Sequence, residues 1–220
     1  LNLINSKKFK QSKIFYLSSG AVYGSLKVEK QIEKYKIKKK NINFSDNFKK
    51  KYALRKINSE NKIIKLSKKG FDFTIIRLFN LVGPNIPQKK NFAIGNFIKN
   101  IFEKKSITST SDRVTVRGYL HTDTFSELLL KLFKDKEKKI KIYNVGSSKK
   151  IQIHNLVKKL SKDYNLEFNF KNKINLKKMS DIYIANNVKL KRKFKNFKYI
   201  EGYPAIIKTI RILKKEKSIY

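Results

Sequence analysis

The sequence predicts an α/β protein built on a parallel sheet. Two apolar runs, Ile14–Leu17 and Phe73–Phe79, lack the polar alternation of a half-exposed strand, which is the signature of strands covered on both faces by helices. Between them a helical segment opens at the capping types Ser45-Asp-Asn47 and runs to about Ser67, with Tyr52, Leu54, Ile57, Ile64 and Leu66 as its apolar points and Gly70 as its stop. Strand, long helix, strand is a βαβ crossover.

The remaining elements follow in order. The first residues carry a helical pattern (Leu1, Leu3, Ile4) without the long apolar core of a signal peptide, and the chain opens without an initiator methionine, as a fragment would. Ser18-Ser19-Gly20 is the turn out of the first strand, and residues 25–51 are lysine-rich and weakly patterned, a loop with at most a short helix. Asn80-Leu-Val-Gly-Pro-Asn85 leaves the second strand through a turn. An amphipathic helix is expected over Phe92–Phe102, polar Ser106–Asp112 next, and a strand over Val114–Leu120. Thr124-Phe-Ser-Glu127 reads as a capping box opening a helix over Phe125–Phe133. Ile140–Val145 returns as a strand, Ile151–Leu160 as a helix, Asp181–Ala185 as a weak strand, and a C-terminal helix starts at Tyr203. No internal repeat is visible.

Composition narrows the function classes. The 220 residues suffice for a real core, and no apolar run reaches the length of a membrane span. With no cysteine and only two histidines, His121 and His154, disulfides and thiolate chemistry are excluded and a metal site is not expected. The formal charge of +38 would ordinarily point to a polyanion, but only six of the 54 basic residues are arginine (55, 77, 113, 117, 192, 211) and the other 48 are lysines spread through every segment. Nucleic-acid readers concentrate charge and lean on arginine forks. The lysine, asparagine and isoleucine excess reads as a compositional bias, and no nucleic-acid partner is expected; a polyanion-binding protein is the competing reading.

The stretch that carries chemistry is Ser18–Lys56. Tyr52 and Lys56, four apart, share one helix face, where an ammonium favours the ionised phenolate and makes an acid/base pair. By itself such a pair is commonly a solvated surface feature. The first strand delivers Ser18 and Ser19 at its carboxyl end, where ligands bind in open α/β sheets.

Five landmarks then occur in one order: Leu17-Ser-Ser-Gly-Ala-Val-Tyr-Gly24; Tyr52-x-x-x-Lys56 with Glu60 after it; Arg77-Leu-Phe-Asn-Leu-Val-Gly-Pro84; Arg117-Gly-Tyr-Leu-His-Thr-Asp123; and Tyr143-Asn-Val-Gly146. Together they resemble the extended short-chain dehydrogenase/reductase family, and within it the NAD-dependent nucleotide-sugar epimerases and dehydratases. The resemblance implies the C-terminal part of a Rossmann-like doubly wound parallel sheet plus a smaller α/β substrate-binding domain. Residues 1–80 would be the second half of the NAD-binding domain and 81–220 mainly the substrate domain, with the 140–146 strand returning to the sheet.

It also implies residue roles. Tyr52 would take the proton from a sugar hydroxyl as hydride leaves the same carbon. Lys56 would hold the nicotinamide ribose, Ser19 would hydrogen-bond the reacting oxygen, and Phe79 would lie against the cofactor near the nicotinamide. Asn80 and Arg117 would grip the diphosphate of a nucleotide-diphosphate sugar. The cofactor would be NAD, with NADP left open. His121 is expected to be a buried structural histidine, His154 a polar helix-face residue, Tyr23 a packing residue, and Ser18 less able to act than Ser19. The family implies a cytoplasmic protein, a homodimer at full length.

Departures from the family pattern set the reaction. Dehydratases of the family place an Asp-Glu pair directly after the active hydroxyl, because expelling a sugar hydroxyl needs an acid and a base; this chain has Gly20 and Ala21 there, and Gly118 where an aspartate usually follows the motif arginine. A 4-epimerase acting in surface polysaccharide synthesis is therefore expected, with a 4-ketoreductase or 4,6-dehydratase, or an inactive fragment acting as a binding module, as alternatives. The glycine turn that cradles pyrophosphate in this family is missing from the sequence, and the simplest expectation is that the first mononucleotide-binding half lies upstream of Leu1. The 220-residue chain alone is then predicted to bind NAD far more weakly than a form extended at its N terminus. Calorimetric titration of both checks this, and equal micromolar affinities would contradict it.

Overall fold

The computed structural model describes residues 12–24, 26–33, 37, 42, 44, 46–87, 92–135 and 140–217. The expected N-terminal helical pattern and part of the lysine-rich loop lie outside the described residues. The chain divides into two units, one formed by 1–79, 126–146 and 185–197 and the other by 80–125, 147–184 and 198–220.

The first unit is built on a three-stranded parallel sheet. Its strands are β1 (Lys13–Ser19), β2 (Asp72–Leu78) and β7 (Lys141–Val145), in the order β1-β2-β7. Ile14 pairs with Phe73 and Leu17 with Ile76, while Arg77 aligns with Asn144. Helix α1 (Asn47–Ser67) makes the crossover from β1 to β2 as expected, with Asp46 as its N-cap accepting from the Phe48 and Lys49 amides at 2.8 and 3.3 Å. Its buried stripe differs from the apolar points read in the sequence: Ala53, Ile57, Glu60 and Ile63 face inward, while Tyr52 is 42% exposed. Helical spacing of four, three and three residues puts a glutamate on the core face. Gly70 ends the crossover at a φ of 90°, a conformation glycine adopts without strain.

The glutamate is in the core because it has partners there. Glu60 is paired with Arg77 of β2, Nη2 to Oε2 at 2.8 Å and Nε to Oε1 at 3.1 Å, with both side chains almost wholly buried. Ser18 Oγ donates to Glu60 Oε1 at 2.6 Å, and Arg77 Nη1 donates to the Tyr23 hydroxyl at 2.7 Å. Tyr23 in turn donates to Asn144 Oδ1 at 2.8 Å, and Asn144 Nδ2 donates to the Gln31 and Asn186 carbonyls at 2.6 and 2.8 Å. One chain of bonds thus links β1, the 3-10 turn at Gly20–Tyr23, α1, β2 and β7. Burial raises the Tyr23 phenol above its ordinary value against the opposing Arg77 charge, so Tyr23 stays a neutral donor. Burial disfavours the Arg77 cation, but the hydrogen bonds and charge of Glu60 outweigh that and hold the guanidinium above its ordinary value.

In the second unit β3 (Leu81–Val82) pairs in parallel with β6 (Leu120–His121), and β4 (Ile107–Ser109) with β9 (Phe168–Phe170). A third sheet has the order β10-β5-β8, from Asp181–Tyr183, Thr115–Arg117 and Ile151–Gln152. Helices α2 (Ala93–Phe102), α4 (Ile153–Tyr164) and α6 (Tyr203–Lys217) enclose a core that includes Phe97, Ile98, Leu156, Leu160 and Ile206. Helix α5 (Val188–Lys193) and most of α3 (Thr122–Phe133) belong to the first unit. Three expectations are corrected. The strand over Val114–Leu120 is two short strands broken at Gly118; α3 begins two residues before Thr124, whose hydroxyl instead accepts from the Ile200 amide at 3.1 Å; and Ile151–Gln152 are strand, with α4 starting at Ile153. No helix among the described residues is long and apolar enough to cross a membrane.

Glu60→Leu leaves a buried guanidinium unpaired and is predicted to cost roughly 3–5 kcal/mol, read from urea unfolding. Adding Arg77→Met should recover much of that loss, because removing both charges avoids the unpaired one; a double variant no more stable than Glu60→Leu would contradict the assignment.

Candidate active site

The sheet brings Ser18 and Ser19 to the carboxyl end of β1, where the backbone turns into the 3-10 segment and Ser19 Oγ accepts from the Ala21 amide at 3.2 Å. Alongside, α1 presents Tyr52, Lys56 and Glu60 on successive turns. Lys56 Nζ donates to the Leu17 carbonyl at 2.7 Å and stands over the rings of Tyr16 and Tyr52, 5.2 and 5.8 Å from their centroids. One turn further on, Glu60 accepts from Ser18. Consecutive turns of the helix are therefore bonded to consecutive residues of the strand, Lys56 to Leu17 and Glu60 to Ser18. That double attachment sets the register of Tyr52 and Lys56 against the end of β1.

Phe79 is 5% exposed, and its amide donates to the Val145 carbonyl at 2.9 Å. Its ring lies against Gly20 and stacks at 6.5 Å on Tyr23. Ser19, Tyr52, Lys56 and Phe79 all belong to the first unit. An ammonium offers three donors; with the Ser19 and Tyr52 hydroxyls, Lys56 forms a set suited to the vicinal hydroxyls of a ribose and to an oxygen at the reacting carbon. These residues fit the nicotinamide-riboside side of a dinucleotide. The glycine turn for its pyrophosphate is not among the 220 residues.

In the second unit, Asn80 Nδ2 donates to the Gly118 carbonyl at 3.4 Å, and Asn80 O accepts from the Leu120 amide at 3.1 Å. Arg117 donates from Nη2 to Asp181 Oδ2 and from Nη1 to the Asp181 carbonyl, both at 2.7 Å. Asn80 and Arg117 are thus brought together by the segment around Gly118, with the arginine already oriented by a carboxylate. A Cβ at Gly118 would stand 2.4 Å from the Ser147 carbonyl oxygen, so the aspartate usual at this point of the family motif has no room.

Both histidines make structural contacts. His121 is fully buried, its Nδ1 accepts from the Asp123 amide at 3.1 Å, and burial lowers its pKa, which keeps it neutral. His154 stacks on Phe170 at 4.1 Å, an aromatic contact rather than simple helix-face decoration. Sequence reasoning missed the network through Tyr23, Asn144 and Gln31. Its only signals were the helical spacing of Glu60 after Lys56 and an arginine inside an otherwise apolar strand.

The family model for the NAD dependent epimerase/dehydratase family matches residues 1–146. No curated protein sequence matches the chain. Among solved structures, the dTDP-glucose 4,6-dehydratase of Bacillus anthracis in complex with NAD is similar with a TM-score of 0.74 at 17% identity, covering 99% of this chain and 66% of its own. The UDP-N-acetylglucosamine 4-epimerase of Methanobrevibacter ruminantium, in complex with UDP-N-acetylmuramic acid, gives 0.71 at 18%, covering 93% and 63%. That of Bacillus cereus gives 0.66 at 20%, covering 94% and 64%. The chain thus spans about two thirds of the length of these structures, which share its fold. With the family model covering most of the sequence, the chain belongs to the NAD-dependent epimerase/dehydratase family.

Proposed function

We propose that this chain supplies the acid/base centre and the substrate side of an NAD-dependent nucleotide-sugar 4-epimerase. The observation that carries this reading is the double attachment of α1 to β1, which holds Tyr52 and Lys56 beside the strand end bearing Ser19. NAD, when bound, supplies the hydride acceptor and donor. Tyr52 takes the proton of the sugar's C4 hydroxyl as the C4 hydride leaves, and returns it to the 4-keto oxygen when the turned sugar takes hydride back on its other face. Lys56 holds ribose hydroxyls with the donors left after its bond to the Leu17 carbonyl. Ser19 donates to the C4 oxygen as negative charge builds there. Phe79 lies on the nicotinamide side of the site and holds the turn after Ser19 in place. Asn80 and Arg117 hold the nucleotide diphosphate, the arginine by charge-assisted bonds; Asp181 orients its guanidinium.

Reversible hydride transfer needs no further carboxyl group, whereas loss of a sugar hydroxyl does. Gly20 and Ala21 supply none after Ser19. We place the reaction in surface polysaccharide synthesis, in the cytoplasm and in a homodimer, on the family resemblance.

The full-length protein, given a panel of UDP-, dTDP- and GDP-hexoses with NAD, is predicted to release 4-epimers. Tyr52→Phe should reduce kcat by roughly 10²–10⁴-fold, the range for a removed general base, with nucleotide-sugar affinity by calorimetry little changed. A Tyr52→Phe enzyme within a few-fold of the parent, or a purely one-way 4-keto reduction, would contradict the reading.

A further inference from the structure

Gly20 is glycine for a reason other than backbone freedom. The glycines at positive φ are Gly24, Gly70 and Gly202, and Gly20 is not among them. What it lacks is space. A Cβ built on Gly20 would lie 2.5 Å from both Cε1 and Cζ of Phe79 and 2.8 Å from Cδ1. The ring cannot simply swing aside. It is buried, it stacks on Tyr23, and Tyr23 is held by Arg77 and Asn144. Any side chain at position 20 must therefore displace a buried aromatic braced by the hydrogen-bonded core.

We infer that Gly20 and Phe79 form a steric lock that bars every side chain, a carboxylic acid included, from the position that follows Ser19, and so closes to this site the first of the two positions at which an acid for loss of a sugar hydroxyl would stand. The consequence for chemistry rests on the epimerase reading above; the lock itself does not. Elimination requires an acid to protonate the departing hydroxyl. The two buried carboxylates near this turn are otherwise engaged: Glu60 with Arg77 and Ser18, and Glu33 accepting from the Asn144 amide at 3.0 Å. The lock makes the absence of an acid a property of two coupled positions, so a single substitution at position 20 cannot restore one.

The test is a set of variants of the full-length protein with two readouts. In urea unfolding, Gly20→Ala is expected to lower the midpoint clearly in the parent, and to lower it much less in a Phe79→Leu background, because leucine lacks the outer ring atoms that the new methyl meets. Gly146→Ala is the control: its methyl meets Phe79 Cβ and Ala185 Cβ, which Phe79→Leu retains, so no rescue is expected. Equal losses from Gly20→Ala in both backgrounds, or none in either, would overturn the lock. In product analysis with dTDP-glucose, UDP-glucose and GDP-mannose, the parent is expected to release no 4-keto-6-deoxy sugar, and its appearance would overturn the inferred restriction. Rescue specific to Gly20 in a protein that epimerises no sugar supports the lock and counts instead against the epimerase reading.

Discussion

A buried ion pair is the constraint around which the first unit is arranged. Taking Glu60 and Arg77 out of water is costly, and the cost is offset only when geometry is good and the remaining donors and acceptors find partners. Here the guanidinium meets the carboxylate through Nε and Nη2, Ser18 supplies a further donor to Glu60, and Tyr23 accepts from Nη1. Because each partner comes from a different element, the pair can be satisfied only when β1, the turn after it, α1 and β2 are all in place. The ion pair is therefore weak evidence for stability as such and strong evidence for register. Register is what the proposed acid/base centre needs, since Tyr52 and Lys56 lie on the helix that Glu60 locks and Ser19 on the strand that Ser18 locks.

The same arrangement explains what the sequence made legible. Apolar runs without alternation showed β1 and β2, and the capping types Ser45-Asp-Asn47 followed by a long helical segment showed α1, with Asp46 as the cap among them. The order of the motif residues pointed to the family and to the strand end. Periodicity could not show that the inward face of α1 contains Glu60, because a glutamate in a lysine-rich helix looks like one more solvated charge; its burial is decided by an arginine 17 residues away. The short strands of the second unit were poorly legible for a different reason. Ile107–Ser109 and Phe168–Phe170 have three residues each, too few for alternation to register, and they are strands only because they pair with each other. The roles of Gly20 and Gly118 were equally hidden, since a missing side chain records what stands opposite it and not a pattern along the chain.

The cation excess has its own structural expression. With 54 lysines and arginines against 16 acidic residues, most lysines have no carboxylate to meet, and the backbone and the tyrosines take up part of the difference. Lys13 donates to the Phe133 carbonyl at 2.6 Å, and Lys189 to that of Ile142 at 2.7 Å while standing 4.6 Å from the Tyr143 ring centroid. Lys159 and Lys214 lie over Tyr203 and Tyr164. Such contacts use the aliphatic stems and the ring quadrupoles. Lys56 makes the same kinds of contact, a carbonyl bond and two ring faces, and differs from its many neighbours in what lies beside it: the end of β1 with Ser19.

The central claim is that one sugar carbon gives up a hydride and receives it back at a site organised by Tyr52, Lys56 and Ser19. Following deuterium placed at C4 of a nucleotide hexose through turnover by the full-length protein tests it most directly. The account predicts that the 4-epimer retains the label at C4 with none lost to water. Washout of deuterium to solvent, or an epimer formed with its C4–H bond never broken, would contradict it.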